Sequence, residues 1–350
     1  MHVSPAHWHL ATLGGITIHK GTNFYLDSVS CPLPSFCLIA GDTDTYSIVE
    51  HFNGSTWSRV LVGRKSDTFD SVSCASATFC MVVGQNARSD PLAEIYDGRQ
   101  WNRVLLAGSN TTLTAVDCTT VGKCIVIGEP YGTTSSFSSW VFASDTWRRV
   151  KVHPGISALI GIGSISCVNA TNCEAVGGYG YGGSGHSGLS EHFDGSAWSA
   201  DEIQSMLYRG GFGNVSCVST KLCVASEGLS WNLLGKDPGG GLTGVLVQAK
   251  RGARWRTLGR GLPGPDQRAV QEAGVQCFHD QSCVVTGGSA RGMFVAFVHH
   301  GRLMPFSVVR GVTLHGEYPW LTSLSCASER FCVEVSESVS SPYVLMGTLR

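Results

Sequence analysis

Seven pairs of cysteines, each with five residues between the two partners, constrain the fold of this chain more than any other feature. The pairs are Cys31 with Cys37, Cys74 with Cys80, Cys118 with Cys124, Cys167 with Cys173, Cys217 with Cys223, Cys277 with Cys283, and Cys326 with Cys332. Their first members recur every 43 to 60 residues, which is the period of a four-stranded propeller blade. The pattern predicts seven copies of one structural unit along the 350 residues.

Each repeat carries the same pattern of strands and turns around its cysteines. The residue two positions before the first cysteine is always apolar and small or polar residues flank it, as in an alternating β-strand that we term strand A. A second β-rich run, strand B, follows the second cysteine. A third run, strand C, commonly ends in a hairpin turn such as Asn53-Gly54, and a tryptophan such as Trp57 then opens strand D. Four antiparallel strands per repeat are therefore expected.

The last repeat ends at Arg350 after only three strands. The segment 8–13 near the N-terminus is similar to 57–62, which opens with Trp57, so we expect it to complete the last blade and close the ring. The predicted fold is an all-β, seven-bladed β-propeller with one intrablade disulfide per four-stranded antiparallel blade, in a single domain over residues 1–350. The expected blades span about residues 26–62, 69–106, 113–152, 162–203, 212–258, 273–309 and 322–350 with 8–13.

The cysteines are expected to form disulfides rather than to bind a metal. A structural zinc site needs four ligands in one place, and each predicted A–B hairpin offers two. The even count of 14 favours secretion or another extracytoplasmic location, because cytosolic thiols are kept reduced. The first eight residues lack the pattern of a signal peptide, so a leader is expected to lie outside this chain. A cytosolic protein of a hyperthermophile is the alternative.

Charge and hydropathy exclude two classes of partner. The formal net charge is −1 and 15% of the residues are charged, so no nucleic-acid surface is indicated. No apolar stretch approaches the 18 residues of a membrane-spanning helix. We expect no cofactor, no metal and a monomer, with a carbohydrate or a protein as the partner.

Two of the motifs resemble known propeller families. The Ser-x-Ser-Cys-x5-Cys repeats, as in 28–37, resemble those of extracellular bacterial β-propellers. The Asp-Gly turn followed by a tryptophan, as in 97–101, distantly resembles the Asp-box hairpin of sialidase-like propellers. The resemblance implies a secreted propeller scaffold. No repeat matches the full Asp-box and sialidase propellers have six blades, so no catalytic residue is carried over.

Irregular connections distinguish the fourth and fifth repeats. The A–B and C–D hairpins share one face of a propeller, and the B–C and D–A connections share the opposite face, which we term the loop face. The B–C connections over 177–188 and 227–244 are the most elaborate, and elaborated loops usually carry function. The expected ligand-binding residues are Trp231, Tyr208, Tyr179, Tyr181, His186, Arg209, Asp237 and Trp320. The alternative is that these loops are solvated, with self-packing aromatic side chains.

The recurring tryptophans allow two interpretations. They could stack on sugars, but their regular position after the C–D turn favours packing between the blades. Trp140 breaks the period within strand C of the third repeat and is also expected in the core.

The favoured function is an extracytoplasmic binding module that uses the loop face. The alternative is a sialidase-like glycoside hydrolase or lyase, which requires two carboxylates about 5–10 Å apart at the central opening. Eleven carboxylates are expected on the loop face, Asp42 and Glu129 among them, so the sequence does not single out a catalytic pair. No serine-hydrolase, zinc-protease or phosphate-loop motif is present. A structural interaction scaffold is the third hypothesis.

Overall fold

The computed structural model describes residues 7–11, 13, 23–108, 110–130, 137–152, 159–180, 186–201, 212–229, 244–251, 254–261, 274–279, 281–289, 292–312, 320–338 and 343–349. These residues form 29 β-strands, and none of them lies in a helix. A helix able to span a membrane is accordingly not found among them. The strands are β1 (His7–Ala11), β2 (Phe24–Leu33), β3 (Phe36–Thr43), β4 (Tyr46–Phe52), β5 (Trp57–Lys65), β6 (Thr68–Ser76), β7 (Phe79–Gln85), β8 (Pro91–Tyr96), β9 (Trp101–Leu105), β10 (Thr111–Thr120), β11 (Lys123–Pro130), β12 (Ser138–Ala143), β13 (Thr146–Val152), β14 (Leu159–Asn169), β15 (Asn172–Gly180), β16 (His186–Phe193), β17 (Ala197–Asp201), β18 (Asn214–Ser219), β19 (Leu222–Leu229), β20 (Gly244–Arg251), β21 (Arg254–Gly261), β22 (Val275–Cys277), β23 (Cys283–Ser289), β24 (Gly292–His299), β25 (Arg302–Leu303), β26 (Ser307–Val308), β27 (Trp320–Ser328), β28 (Phe331–Ser338) and β29 (Val344–Thr348).

The strands form antiparallel sheets in the predicted order A-B-C-D, and the molecule is a β-propeller. Repeat 2 illustrates the unit, with β6, β7, β8 and β9 side by side in one four-stranded sheet. Repeats 1 to 6 comprise β2–β5, β6–β9, β10–β13, β14–β17, β18–β21 and β22–β26, and repeat 7 comprises β27, β28, β29 and β1. The A strands are innermost and line a central cavity.

The apolar core is divided among the boundaries between repeats, which we term seams. Among the described residues it forms seven clusters, each contributed by two adjacent repeats. At seam 1–2, for example, Leu38 and Val49 of repeat 1 pack with Phe69 and Val82 of repeat 2. One of the clusters joins repeat 7 to repeat 1, so the sequence of seams closes on itself.

The N-terminal strand completes the last repeat, as predicted. Strand β1 pairs antiparallel with β29, and Trp8 lies opposite Gly347. Trp8 is buried in the seam 6–7 cluster. The first strand of the chain is therefore the outermost strand of its last repeat.

All seven predicted disulfides are confirmed, each within one A–B hairpin. The paired Cα atoms lie 3.9 to 4.1 Å apart, and no free cysteine remains. Because both partners belong to neighbouring antiparallel strands, each bridge fixes the register of its hairpin at the face opposite the loop face. The bridges join Cys31 to Cys37, Cys74 to Cys80, Cys118 to Cys124, Cys167 to Cys173, Cys217 to Cys223, Cys277 to Cys283, and Cys326 to Cys332.

Repeat 6 is the least regular of the seven. Its strand A is the three-residue β22, and its outer edge is split into the two-residue strands β25 and β26. Met304 stands where the other repeats have the strand D tryptophan, and it is exposed rather than packed. By contrast, the outer strands β13 and β17 of repeats 3 and 4 pair with each other in parallel.

Candidate functional site

The central cavity has a volume of about 270 Å³ and is lined by strand A of all seven repeats. Serine, threonine, asparagine, glutamine and aspartate side chains predominate in its wall, interrupted by single apolar residues. Among the described residues that form this wall there is no lysine, arginine or aromatic residue. The cavity is thus polar, and the ionisable groups of its described wall are acidic.

The serines of the Ser-x-Ser motif link one inner strand to the next around this cavity. At seam 1–2, Ser28 Oγ accepts from the backbone N–H of Val72 at 3.1 Å, and Ser30 Oγ accepts from that of Cys74 at 2.9 Å. Seams 7–1, 2–3 and 4–5 have the same two bonds. Seam 5–6 has one, through Ser216. These bonds satisfy backbone N–H groups on the edge of strand A that does not pair with strand B. The repeated serines therefore link neighbouring repeats around the ring and are not reactive groups.

In five repeats a β-bulge in strand A adds one residue that lines the cavity. The A–B register skips a residue just before the first serine position in five repeats. The skipped residues are Asp27, Asp70, Thr114, Gly163 and Thr322, and all five line the cavity. Bulges commonly re-aim side chains at functional sites. Since strand A begins at the loop face, these residues lie between that face and the ring of serines.

The bulge residues divide the cavity into two unlike halves. Repeats 1 and 2 contribute the two aspartates, the flanking repeats 7 and 3 contribute Thr322 and Thr114, and repeat 4 contributes Gly163. The Oγ1 of Thr114 is buried and has no hydrogen-bond partner among the described residues. The Oγ1 of Thr322 donates to the carbonyl of Leu26. One half of the wall therefore carries two carboxyl groups, while the hydroxyl groups of its bulge threonines are buried or engaged.

Burial raises the pKa of Asp70, in this half of the wall, and of Asp42, whose charge acts on it. Burial, reinforced by the charges of Asp42 and Glu129, raises the pKa of Asp70 to about 7, although the Thr68 hydroxyl bonds to it. Burial likewise raises the pKa of Asp42 to about 7, against the opposing effect of the Phe69 N–H. At neutral pH each of these two carboxyl groups is therefore partly protonated.

Asp42 and Glu129 are held by backbone groups of the next repeat. Asp42 Oδ1 accepts from the N–H of Phe69 at 3.0 Å, and Glu129 Oε1 accepts from that of Ile162 at 2.5 Å. Burial raises the pKa of Glu129 as well. Both carboxylates lie near the loop face, as predicted, and both act as links across a seam.

Asp117 takes the place of a ring serine in repeat 3. Its Oδ2 accepts from the N–H of Cys167 at 2.6 Å, which is the bond that a serine makes elsewhere. Burial raises its pKa to about 6, although its hydrogen bonds oppose the shift. The described residues contain no group of three or more ligands placed to hold a metal ion.

Most of the predicted ligand-binding residues lie outside the described part of the chain. Trp231, Tyr208, Tyr181, Arg209 and Asp237 belong to this group. Of the remaining three only the backbone is described. Tyr179 lies near the end of β15, His186 opens β16, and Trp320 opens β27 rather than lying in a loop. Because β15 and β16 continue into the glycine-rich stretch, the connection between them is shorter than the sequence indicated.

The recurring turns and tryptophans are structural, as predicted for the tryptophans. Trp57 and Trp198 are buried and pack against the aromatic residue before the turn, with ring centroids 5.2 Å apart in both cases. In the turns, Asp194 Oδ1 accepts from two backbone N–H groups, and these bonds lower its pKa to about 2. Trp140 is also buried, with the Arg149 guanidinium 5.9 Å from its ring centroid.

Sequence reasoning missed Asp27, Asp70 and Asp117 because they occupy ordinary polar positions of an alternating strand. One signal could have found two of them: the pentapeptide Asp-Ser-Val-Ser-Cys occurs unchanged at 27–31 and 70–74. Because strand A is the innermost strand, an aspartate that recurs there in two adjacent repeats must either face the cavity or be buried.

Comparisons with known proteins support the fold but assign this chain to no family. Neither models of protein families nor curated protein sequences match this chain. Solved structures do match. The WD40 repeats of RRP9 superpose with a TM-score of 0.64 at 11% identity, over 99% of each chain. A GH74 xyloglucanase from Xanthomonas campestris gives 0.61 at 12% identity, over 97% of this chain and 53% of the enzyme. The six-bladed fungal lectin from Aleuria aurantia, described by its fucose recognition, gives 0.51 at 13%, over 85% of this chain and 100% of the lectin. At these identities the likeness shows the propeller fold alone.

Proposed function

We propose that this chain is an extracytoplasmic, seven-bladed propeller that binds a carbohydrate at its loop face, with the bulge residues of the central cavity as the polar floor of the site. One observation carries the proposal: the described cavity wall near the loop face offers two carboxyl groups and no cation. Sugar hydroxyl groups donate well to such acceptors.

The size of the cavity limits what it can hold. Ligand pockets commonly measure about 300–1,000 Å³, so about 270 Å³ suits one sugar ring or the end of a chain. The aromatic rings needed for stacking would come from the loops of repeats 4 and 5, with Trp231 and Tyr208 foremost. Tyr179, Tyr181, His186, Arg209, Asp237 and Trp320 are the other candidates on that face.

The extracytoplasmic location rests on the disulfides. All 14 cysteines are paired, which is the state that an oxidising compartment maintains. A lectin among the structural neighbours is consistent with such a location. The seven repeats would then be the seven blades of a single domain with the bounds given above.

A glycoside hydrolase is the second candidate, favoured by the weak acidity of Asp42 and Asp70. A glycosidase needs one carboxyl group protonated near neutral pH, and both groups have a pKa raised to about 7. Against this candidate, Asp42 is engaged by the Phe69 N–H and does not line the cavity, which leaves Asp70 and Asp27 as the pair in the cavity wall.

A glycan array with the purified, oxidised chain separates these candidates. The binding proposal predicts retention of a defined set of glycans without release of reducing sugar. Asp70→Asn and Trp231→Ala should each lower the affinity about fivefold to thirtyfold, since the lost hydrogen bond or ring contact contributes about 1–2 kcal/mol. Release of reducing sugar that Asp70→Asn abolishes would instead establish the hydrolase.

A matched control lies on the opposite face. Asp145→Asn changes an exposed carboxylate in the C–D turn of repeat 3 and should leave glycan binding unchanged. The position of Trp231 is tested by the melting temperature. Its replacement should shift the midpoint by only about 1–2 °C if the ring lies on a surface loop. A loss of several kcal/mol would mean that the ring is core.

A further inference from the structure

Seam 6–7 lacks the serine links found at its neighbours. Where repeats 1, 2, 4 and 7 carry serine at both motif positions, repeat 6 carries Gly274 and Gln276. Glycine has no side chain to offer, and the Gln276 amide bonds instead to the carbonyl of its neighbour Cys277 at 3.2 Å. Strand A of repeat 6 therefore makes neither of the two serine links to strand A of repeat 7.

A buried hydrogen bond between the two B strands stands in its place. Thr286 Oγ1 on β23 donates to Glu334 Oε1 on β28 at 2.6 Å, and both residues are completely buried. Gly274 makes room for this pair. A Cβ added there would lie 2.7 Å from the Cβ of Leu324 and 2.8 Å from Thr286 Oγ1, so a serine at this position would collide with them.

Among the described residues, seam 7–1, where the two ends of the chain meet, has more hydrogen bonds between its repeats than seam 6–7. At seam 7–1, Ser323 and Ser325 make both serine links, and Thr322 Oγ1 donates to the carbonyl of Leu26 at 2.6 Å. Strands β2 and β28 also pair directly across this seam. The place where the ring joins the two ends of the chain is thus more heavily linked than the continuous connection between repeats 6 and 7.

We propose that the propeller ring opens at seam 6–7, and that the hydrogen bond between Thr286 and Glu334 is the latch that holds it shut. The opening separates β22 and β23 from β27 and β28 while the other six seams stay closed. It leaves β27 as the unpacked edge of repeat 7, so that its hydrogen bonds to β28 break more often. The N-terminal strand remains paired with β29, because it belongs to repeat 7 and moves with it.

The surroundings of Glu334 determine how opening of the seam depends on pH. Its Oε2 has no partner among the described residues, and β22, β23, β27 and β29 carry no ionisable side chain. Burial raises the pKa of Glu334 to about 8, with the Thr286 hydroxyl opposing the shift. No lysine or arginine lies on the other adjoining strands or in the described segment before β29. The titratable residues there are Tyr25 and Asp27 on β2, Glu337 on β28, Tyr343 before β29, His299 on β24, and His7 and His9 on β1.

Ionisation of Glu334 would place a negative charge in an apolar seam without a counter-charge, and opening the seam relieves it. In the open seam the carboxyl group returns towards its ordinary pKa of 4.5. Opening therefore becomes easier, by up to about tenfold per pH unit, as the pH rises from 4.5 to about 8, and levels off above that value. The serine and threonine links of seam 7–1 carry no charge and have no such dependence.

Hydrogen exchange measured by mass spectrometry on the oxidised full-length chain tests the latch. Rates at pH 6 and pH 8, corrected for intrinsic exchange, are compared for peptides covering β27, β2 and β18. In the wild type, protection of β27 should fall about tenfold or more between the two pH values while β2 keeps its protection. Glu334→Gln keeps an acceptor for Thr286 without a charge, so it should abolish the loss.

Two further variants serve as controls in case Glu334→Gln does not fold. Thr286→Val removes the donor and should lower the protection of β27 already at pH 6. Ser166→Ala removes one link of seam 4–5 and should affect β18 while leaving the pH response of β27 intact. The proposal is overturned if β2 or β1 loses protection before β27, or if Glu334→Gln keeps the wild-type pH response.

Discussion

Seams 1–2 and 6–7 perform the same mechanical task with opposite chemistry. Seam 1–2 is linked by Ser28, Ser30 and Asp42, each of which accepts a backbone N–H of repeat 2. Seam 6–7 depends on Thr286 and Glu334, two side chains removed from water and bonded to each other. The difference is one of solvation. The serine links line a polar cavity, where water can replace a lost partner, whereas the carboxyl group of Glu334 has no such replacement.

This contrast explains how a degenerate repeat can remain part of a closed ring. Repeat 6 has lost both motif serines, the strand D tryptophan and most of strand D. Its seams still hold apolar clusters as large as those elsewhere, and Asn214 Nδ2 reaches past Gly274 to the carbonyl of Thr322 at 3.5 Å. Packing thus maintains the seam, while the polar links determine its response to conditions.

Trp8→Ala and Trp101→Ala, one at each seam, should produce the largest difference. Trp8 is 6% exposed within the seam 6–7 cluster, and its removal should destabilise the fold by about 3–5 kcal/mol, as for other buried tryptophans. Trp101 packs half-buried against the seam 1–2 cluster and should lose clearly less. Chemical denaturation at pH 6 measures both. Equal losses would mean that the N-terminal strand adds nothing beyond ordinary packing.

The pH dependence of unfolding should separate the two seams next. The pKa of Glu334 is raised from 4.5 in the unfolded chain to about 8 in the folded one, so the unfolded state binds fewer protons between these values. Its contribution to stability is therefore fully present below pH 4.5, falls as the pH rises to 8, and is constant above it. The loss is on the order of 5 kcal/mol at most, at about 1.4 kcal/mol per pH unit over the interval from 4.5 to about 8.

Glu334→Gln isolates this contribution, because Asp42 and Asp70, whose pKa values are also raised to about 7, are unchanged in the variant. Denaturation of the wild type and the variant at about pH 5 and about pH 8.5, on either side of most of this range, should show the smaller pH difference in the variant. The same difference in both proteins would place the pH dependence elsewhere.

The repeat architecture could be predicted from the sequence because its signals are local. Cysteine spacing, strand alternation and the turn glycines all act within a few residues, and the similarity between 8–13 and 57–62 supplied the closure. The glycine-rich stretch at 177–188 was predicted to be a loop, but its two ends, 177–180 and 186–188, are paired strand, because backbone pairing of β15 with β16 needs no side chain.

The cavity and the latch could not be predicted in the same way. A bulge shifts Asp27 and Asp70 from the alternating pattern into the cavity, and alternation alone does not reveal a bulge. Thr286 and Glu334 are 48 positions apart and meet only because two B strands face each other across a seam. The absence of serine at Gly274 was visible in the sequence, but its consequence depends on packing.

Ser30→Ala should have a modest effect confined to seam 1–2. The N–H of Cys74 loses its acceptor beside a polar cavity, so the expected destabilisation is about 1 kcal/mol, with no change in pH dependence. Ser166→Ala, which removes the same bond to Cys217 at seam 4–5, should give the same value. Denaturation midpoints measure both. A loss of several kcal/mol would mean that water cannot reach the serine ring.

Gln276→Ser should have the smallest effect, and in the opposite direction. At the other six seams the residue in this position, a serine or Asp117, accepts from the N–H of the first cysteine of the next repeat. A serine at 276 would supply the corresponding acceptor for Cys326, at the expense of the local bond between the Gln276 amide and the Cys277 carbonyl. The expected gain is about 0.5–1 kcal/mol, the net value of one intramolecular hydrogen bond.

This gain should appear as slower exchange of the Cys326 amide and as a weaker response of β27 to rising pH, because part of the seam would then be held by a link without charge. Gln276→Ala removes the same amide without adding a hydroxyl and serves as the control. If serine and alanine have equal effects, the A strands of repeats 6 and 7 are too far apart for a serine link. The seam would then depend for its polar connection on the latch at Glu334, which Gly274 leaves room to form.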